Sequence, residues 1–394
     1  MTTAPSAAYE SAVERRQVAK ANRLHDAADE ASNAGDHRRA ERACRRALAI
    51  FELQGGARSP DVANLSITLS RILVDRGERP AAVEAARRAW EILGPLRGRA
   101  PELSMLRLFA RQQLGAALRE AGDFRRARPL LLHAVRDAER RFGGDSVELA
   151  LALNHVGILC KYTSRYEDGL SAYRRSLAIL RRKLGPSHPE LASIHHNLGG
   201  IEHHRGRFRS AAAHAARSLA IREAALGRSS PLVAADAAAY AAILAELGRR
   251  REARALYTRA HRVFLRVYGD HHYEVAMNTH NLAALDASSG RLRSAEARYR
   301  RATELFARSI GRDHPDTALA RYNLAALLTT LGRTGEARPH CVHARRVFEG
   351  TFGRTHPHTV STLELLAELD AHSRGAASGE RAARRPRRAR RVRA

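Results

Sequence analysis

Cysteine is nearly missing from this sequence: 394 residues contain three, too few for a disulfide framework. Lysine is as scarce, with Lys20, Lys161 and Lys183 the only ones among 68 basic residues, so almost every cation is arginine. Aromatic residues make up 5%, a poor supply for stacking nucleic-acid bases. No stretch approaches the ~20 uncharged apolar residues that a membrane span needs. The opening residues carry no apolar run of signal-peptide length, with Glu10 and Glu14 arriving early, so the sequence reads as cytoplasmic with no membrane partner. There is no H-E-x-x-H, no C-x-x-C and no glycine-rich phosphate loop. Catalytic residues, metal ligands and cofactors are therefore not expected. Acidic residues are also short, 41 against 68 basic ones, leaving a net charge of +27 that should draw polyanions or acidic partner surfaces.

What the chain has is a period. Gly143, Gly185, Gly227, Gly269, Gly311 and Gly353 stand 42 residues apart. A second glycine follows 21 residues into each unit, at Gly206, Gly248, Gly290 and Gly332, with Ser164 substituting once; upstream the same turn is visible at Gly122, Gly77 and Gly35. The step from Gly77 to Gly122 is 45 residues, and the extra three fall in the linker around Gly94 and Pro95. Five residues after each turn sits Ala40, Ala82, Ala127, Gly169, Ala211, Ala253, Ala295 or Ala337; twelve after it sits Ala47, Ala89, Ala134, Ser176, Ser218, Ala260, Ala302 or Ala344. Small residues two helical turns apart let a neighbouring backbone approach. Nine after the turn comes a mostly apolar knob that includes Cys44, Tyr173, Tyr257, Tyr299 and Cys341, while Cys160 aligns with a packing position. The three thiols thus read as structural. A 42-residue unit cannot bury a core alone, so stability must come from stacking on its neighbours.

The linkers carry helix-start chemistry. Ser187 to Glu190 and Asp145 to Glu148 fit capping boxes, with Asp313 to Asp316 a looser one. The His-Pro pairs suit a first helical turn, which makes His188, His314 and His356 linker residues rather than metal ligands. From Pro357 a last helix has no second helix after it, as a capping element should, and after Ser373 the pattern stops in a tail of nine Arg and one Glu. The expected organisation is a disordered N-terminus at 1–7, a solenoid of about eight helix pairs plus the capping helix at 8–373, and a disordered Arg-rich tail at 374–394.

The segments Asn197-Leu198-Gly199, Asn281-Leu282-Ala283 and Asn323-Leu324-Ala325, followed by the turn glycine and the small positions, resemble the tetratricopeptide repeat. The 42-residue period and the linkers Leu184 to Pro189 and Ile310 to Pro315 resemble its kinesin-light-chain-like class, as found in bacteria. The resemblance spans roughly Ala21 to His372 and implies an all-α, right-handed superhelical solenoid of antiparallel helix pairs with a concave groove lined by first helices. It further implies that the groove presents Gln112, Gln113, Asn154, His155, Lys161, Tyr162, His196, Asn197, His203, His204, His280, Asn281, Tyr322 and Asn323. A ladder of carboxamides there would pair with the main chain of an extended peptide, donor to acceptor and acceptor to donor; the structural alternative is bonding from one helix to the next. The stretch Ala234 to Ala239 would form an apolar gap in the groove. Recognition of a terminal carboxylate would need grouped cations, for which only Lys161, Arg119 and Arg71 align. Groove histidines titrating near neutrality would strengthen binding of acidic peptides as pH falls. The expected function is a non-catalytic protein-interaction scaffold holding an acidic segment of a partner; the alternative is a nucleic-acid-associated regulator using its basic tail or basic outer face.

Overall fold

The structure, a computed structural model, describes residues 11–96 and 100–383, and these form helices and turns with no strand. Two compact units divide the chain at Leu247 and Gly248. The first contains α1 (Ala12–Asn33), α2 (His37–Gly55), α3 (Pro60–Asp75), α4 (Arg79–Leu93), α5 (Pro101–Glu120), α6 (Phe124–Phe142), α7 (Val147–Tyr162), α8 (Tyr166–Leu184), α9 (Pro189–His204), α10 (Phe208–Leu226) and α11 (Pro231–Glu246). The second contains α12 (Arg250–Tyr268), α13 (Tyr273–Ser288), α14 (Leu292–Ser309), α15 (Pro315–Thr330), α16 (Thr334–Phe352) and α17 (Pro357–Ala383). Within each unit every helix packs against the next. Odd-numbered helices also touch across their partners, as α5 touches α3 and α7, and α9 touches α7 and α11. The described residues form seventeen helices in all.

The recurrent small residues occupy the tightest places. Ala40, Ala82, Ala127, Ala211, Ala253, Ala295 and Ala337 are fully buried, as are Ala47, Ala89, Ala134, Ala260, Ala302 and Ala344. Where the second small position is serine its hydroxyl is satisfied inside the core: Ser176 Oγ donates to Ala150 O at 2.7 Å and Ser218 Oγ to Ala192 O at 2.8 Å. The knobs between them are buried too, Tyr173 completely. Room for that ring comes from Gly157, where an added Cβ would lie 2.4 Å from Tyr173 Cε1. The cysteine knobs donate to carbonyls 21 residues on, Cys44 to Leu65 O at 3.4 Å and Cys341 to Thr362 O at 3.5 Å. Burial pushes the Cys44 thiol up to about 12 and the Cys341 thiol up to about 11, so neither supplies a thiolate near neutral pH.

The turn glycines are required for their backbone, not for space: Gly206 has φ 71° and a Cβ there would meet nothing within 4 Å. Among the described residues Ser164, at the same turn, is the one non-glycine with positive φ, at 57°. Its Cβ strains the left-handed conformation. Ser164→Gly is expected to raise stability by about 1 kcal/mol, read from the urea midpoint; an unchanged or lower midpoint would contradict the strain.

Helix starts lie one residue later than the sequence pattern places them. The N-cap of α9 is His188 rather than Ser187, and its Nδ1 accepts from the Glu190 N–H at 3.3 Å. The same imidazole cap recurs at His314 and His356. For α7 the cap is Ser146, which accepts from Leu149 N–H at 3.2 Å, while Asp145 pairs with Arg182 and Lys183. The reason is the proline or valine at the first helical position, which leaves its immediate predecessor as the cap. At the other end, α17 continues past Ser373 to Ala383, so residues 374–383 of the expected disordered tail have helical backbone. That stretch holds four alanines alongside Gly375 and Gly379, and no proline comes before Pro386. Residues 1–7 and the rest of the tail, 384–394, lie outside the described residues.

Candidate functional site

The groove positions build a ladder, and much of it is spent inside the protein. Asn197 Nδ2 donates to Asn154 Oδ1 at 2.9 Å, Gln113 Nε2 donates to Ser70 Oγ at 3.0 Å, and Asn323 Nδ2 meets His280 Nε2 at 3.1 Å. Each bond joins residues 43 apart, so successive first helices are tied to each other. The repeat-to-repeat bonding anticipated as an alternative is present. It does not exhaust the amides: Asn197 keeps a second N–H and its carbonyl, and Asn154 keeps both N–H donors.

Two predicted groove residues are not at the surface. Gln112 is 4% exposed, and His280 is 7% exposed, wedged against the rings of Tyr299 and Phe306. Successive helical residues differ by about 100° in direction, so choosing adjacent pairs as groove-facing guarantees that one of some pairs turns inward. Gln113, Asn154, His155, Lys161, His196, Asn197, His203, Asn281, Tyr322 and Asn323 are half-buried, and Tyr162 and His204 are exposed. The set divides between the units: Gln112 to His204 belong to the first, His280 to Asn323 to the second.

In the first unit three of them, His196, His203 and His204, border a cavity of about 200 Å³ between α9, α10 and α11. Its floor is Gly199, Gly200, Ala215, Ala239, Ala242 and Ile243; its polar rim is His196, His203, His204, Ser218 and Asp236. Of the alanines expected to form an apolar gap in the groove, Ala239 borders this cavity. Ala234 and Ala237 are buried in the core, and Ala239 with Ala242 line the space instead. Sequence reading passed over Asp236, which is 2% exposed and is the anchor of the rim. It accepts from His196 Nδ1 at 2.8 Å and from Arg222 Nε at 3.3 Å, and lies 2.7 Å from the Ser218 hydroxyl oxygen. The one signal was a lone acid in the alanine run Ala234 to Ala239.

Beside the cavity runs a basic column. Arg119, Lys161 and His203 each stand three residues before their turn, at the ends of α5, α7 and α9. Arg119 is 8% exposed and pairs through Nη2 with Glu120 at 2.7 Å, while its Nη1 is buried without a hydrogen-bond partner. Lys161 Nζ lies 5.2 Å above the Tyr162 ring and 4.0 Å from where a Cβ on Gly200 would be. Burial, and then Arg119, pull the Lys161 pKa down. Arg71, the third aligned cation, is paired with Asp29. Burial lowers His155 to about 4, with Arg119 adding to it, and burial lowers His280 to about 4; burial, Lys161 and His203 lower His204. His155 and His280 are therefore neutral across pH 6 to 8, and the expected gain in acidic-peptide affinity over that range does not come from them. Among the described residues no group of three or more His, Cys, Asp or Glu is placed to hold a metal ion, and no helix is long and apolar enough to cross a membrane.

The arginines of the second helices are not all solvated surface. Asp286, fully buried on α13, accepts from Ser294 Oγ at 2.6 Å and pairs with Arg291 and Arg298 at 3.0 Å and with Arg254. Part of the arginine excess is therefore structural.

Helix pairs stacked through alanine and glycine contacts, with first helices tied at one-repeat spacing, define a solenoid repeat protein. Residues 105–182, 148–224, 233–308, 288–340 and 316–376 match the profile of the tetratricopeptide repeat, and the chain belongs to that family. No curated protein sequence matches it. Solved structures resemble it in fold. A Rap protein complexed with competence and sporulation factor is 15% identical, with 93% of this chain and 99% of that one covered at a TM-score of 0.55. The apo form of the quorum sensor NprR from B. thuringiensis is 14% identical over 76% of this chain and 80% of its own, at 0.54. BtubC (BKLC) from P. vanneervenii is 23% identical over 59% of this chain and 94% of its own, at 0.50.

Proposed function

We propose that the chain is a non-catalytic interaction scaffold that holds an extended, acidic peptide segment of a partner protein along its first helices. The observation that carries this reading is the cavity between α9, α10 and α11. Its apolar glycine and alanine floor meets a rim that includes His203, Lys161 Nζ lies 4.0 Å from where a Cβ on Gly200 would be, and Asn197 on the same helix keeps unspent amide groups. An apolar side chain of the segment enters the cavity, its main chain bonds the amides, and its carboxylates lie toward Lys161. A Rap protein of like fold is solved in complex with competence and sporulation factor, which supports a peptide or protein as the kind of partner. The reading places the chain in the cytoplasm, where its three buried cysteines stay free thiols.

The test is a substitution set read by partner binding and by helicity. Asn154→Ala and Asn197→Ala together are expected to weaken binding at least tenfold with helical content unchanged, as loss of two or more amide bonds requires. Unchanged affinity, or unfolding of the array, would assign the ladder to repeat stacking alone.

A further inference from the structure

Lysine is the rare cation of this chain, and one of its three lysines has surroundings unlike those of the other two. Lys20 and Lys183 are exposed, and Lys183 lies 3.5 Å from the Asp145 carboxylate. Lys161 is half-buried at the end of α7, with its Nζ 5.2 Å above the Tyr162 ring. No carboxylate among the described residues pairs with it: the groups that face it are Arg119 and Glu120 from α5 and His204 from α9. Glu120 is the one acid of the three, and it is already engaged, since its Oε1 accepts from Arg119 Nε at 3.2 Å and from Arg119 Nη2 at 2.7 Å. Lys161 therefore has a cation and an aromatic face for neighbours and no anion bonded to it.

There is also room beside the amine. Six residues before the turn, Ala116, Ile158, Ala242, Ala284 and Ala326 carry side chains, whereas α9 has Gly200. A Cβ at Gly200 would come to 4.0 Å from Lys161 Nζ and to no other atom as near. Gly200 also lines the cavity between α9, α10 and α11, so the amine borders the space that this glycine opens.

We propose that Lys161 is a site of N-acylation by a small activated acyl donor, an acyl phosphate or a thioester. The neutral amine attacks the acyl carbon, the bond from that carbon to the leaving oxygen or sulfur breaks, phosphate or thiolate departs, and Nζ passes one proton to water. The product is an uncharged amide. A lysine is nucleophilic only without its proton, and burial beside another cation favours that form. Burial first, and then Arg119, pull the Lys161 pKa down, in agreement with the geometry. The site stands without the peptide reading; where that reading holds, acylation removes the charge toward which the carboxylates of the segment lie and weakens their binding.

The experiment treats the full chain with acetyl phosphate at pH 7.5 and follows each lysine by peptide mass mapping. Lys161 is expected to be acetylated at least about threefold faster than Lys20 and Lys183. Two variants separate reactivity from exposure. Arg119→Gln removes the neighbouring cation and is expected to slow Lys161 toward the other two lysines, although it leaves more room. Gly200→Leu fills the space beside Nζ and is expected to slow Lys161 alone. Equal or slower acetylation of Lys161 in the wild type would overturn the proposal, and so would a Lys161 rate unchanged in either variant that keeps its helicity by circular dichroism. The assay contains no partner, so its failure is distinct from a failure of the peptide reading.

Discussion

Asp286→Ala is expected to destabilise the second unit by about 3–5 kcal/mol, the range for removing one partner from a buried ionic network. Its carboxylate is fully buried and gathers Arg254 from α12, Arg291 from the turn, and Ser294 and Arg298 from α14. Without it three guanidinium groups face one another around an empty space, and those least able to reach water bear the largest penalty. Arg254, with 29% of its side chain exposed, is the most confined. Asp286→Asn retains the shape and part of the hydrogen bonding but not the charge, so it should fall between wild type and alanine. Urea unfolding of the three proteins, followed by circular dichroism, gives the order. Equal midpoints would mean the arginines are carried by solvent.

The second large effect is loss of stability in mild acid. His155 and His280 ordinarily titrate at 6.5 but are lowered to about 4 by burial, so the folded protein holds them neutral while the unfolded chain takes up their protons first. Their contribution is fully present above pH 6.5 and declines as pH falls toward 4, by up to about 1.4 kcal/mol per pH unit for each histidine. Below that the loss stops. His280 is the cleaner probe, since its Nε2 faces the Asn323 amide and its ring lies against Tyr299 and Phe306. His280→Gln cannot titrate, and its side-chain carbonyl can still accept from Asn323. Between pH 7.5 and 5.5 the wild type is expected to lose more stability than His280→Gln. Parallel curves would show that the imidazole is not held neutral.

The repeat was readable because it is redundant. A glycine that returns every 42 residues and an alanine that returns five after each turn state one structural rule many times, and at those alanines the structure shows complete burial. What occurs once was not readable. Asp236 and Asp286 each sit in a single repeat, and their meaning depends on arginines and a histidine brought in from neighbouring helices. Phase was the other weakness. Assigning both members of Gln112–Gln113 and His280–Asn281 to the groove ignored the rotation between adjacent helical residues, and Gln112 and His280 turned inward. The caps slipped by one residue for a related reason, because Ser187 and His188 both carry acceptors and only the helix start decides between them. The cavity between α9, α10 and α11 was half legible: its alanines stand out in the sequence, but which of them are exposed depends on how α11 packs on α10.

The account rests on the groove of the first unit as a binding surface, and one comparison tests it most directly. The full chain, a version ending at Ala383 and an Ala239→Trp variant, which fills the cavity, are used to recover partners from lysate of the source cells with and without nuclease. The account predicts one protein retained by the first two, resistant to nuclease and lost with Ala239→Trp at unchanged helicity. Retention of that protein by the filled variant would contradict it. So would recovery of nucleic acid alone, abolished by ~0.5 M salt.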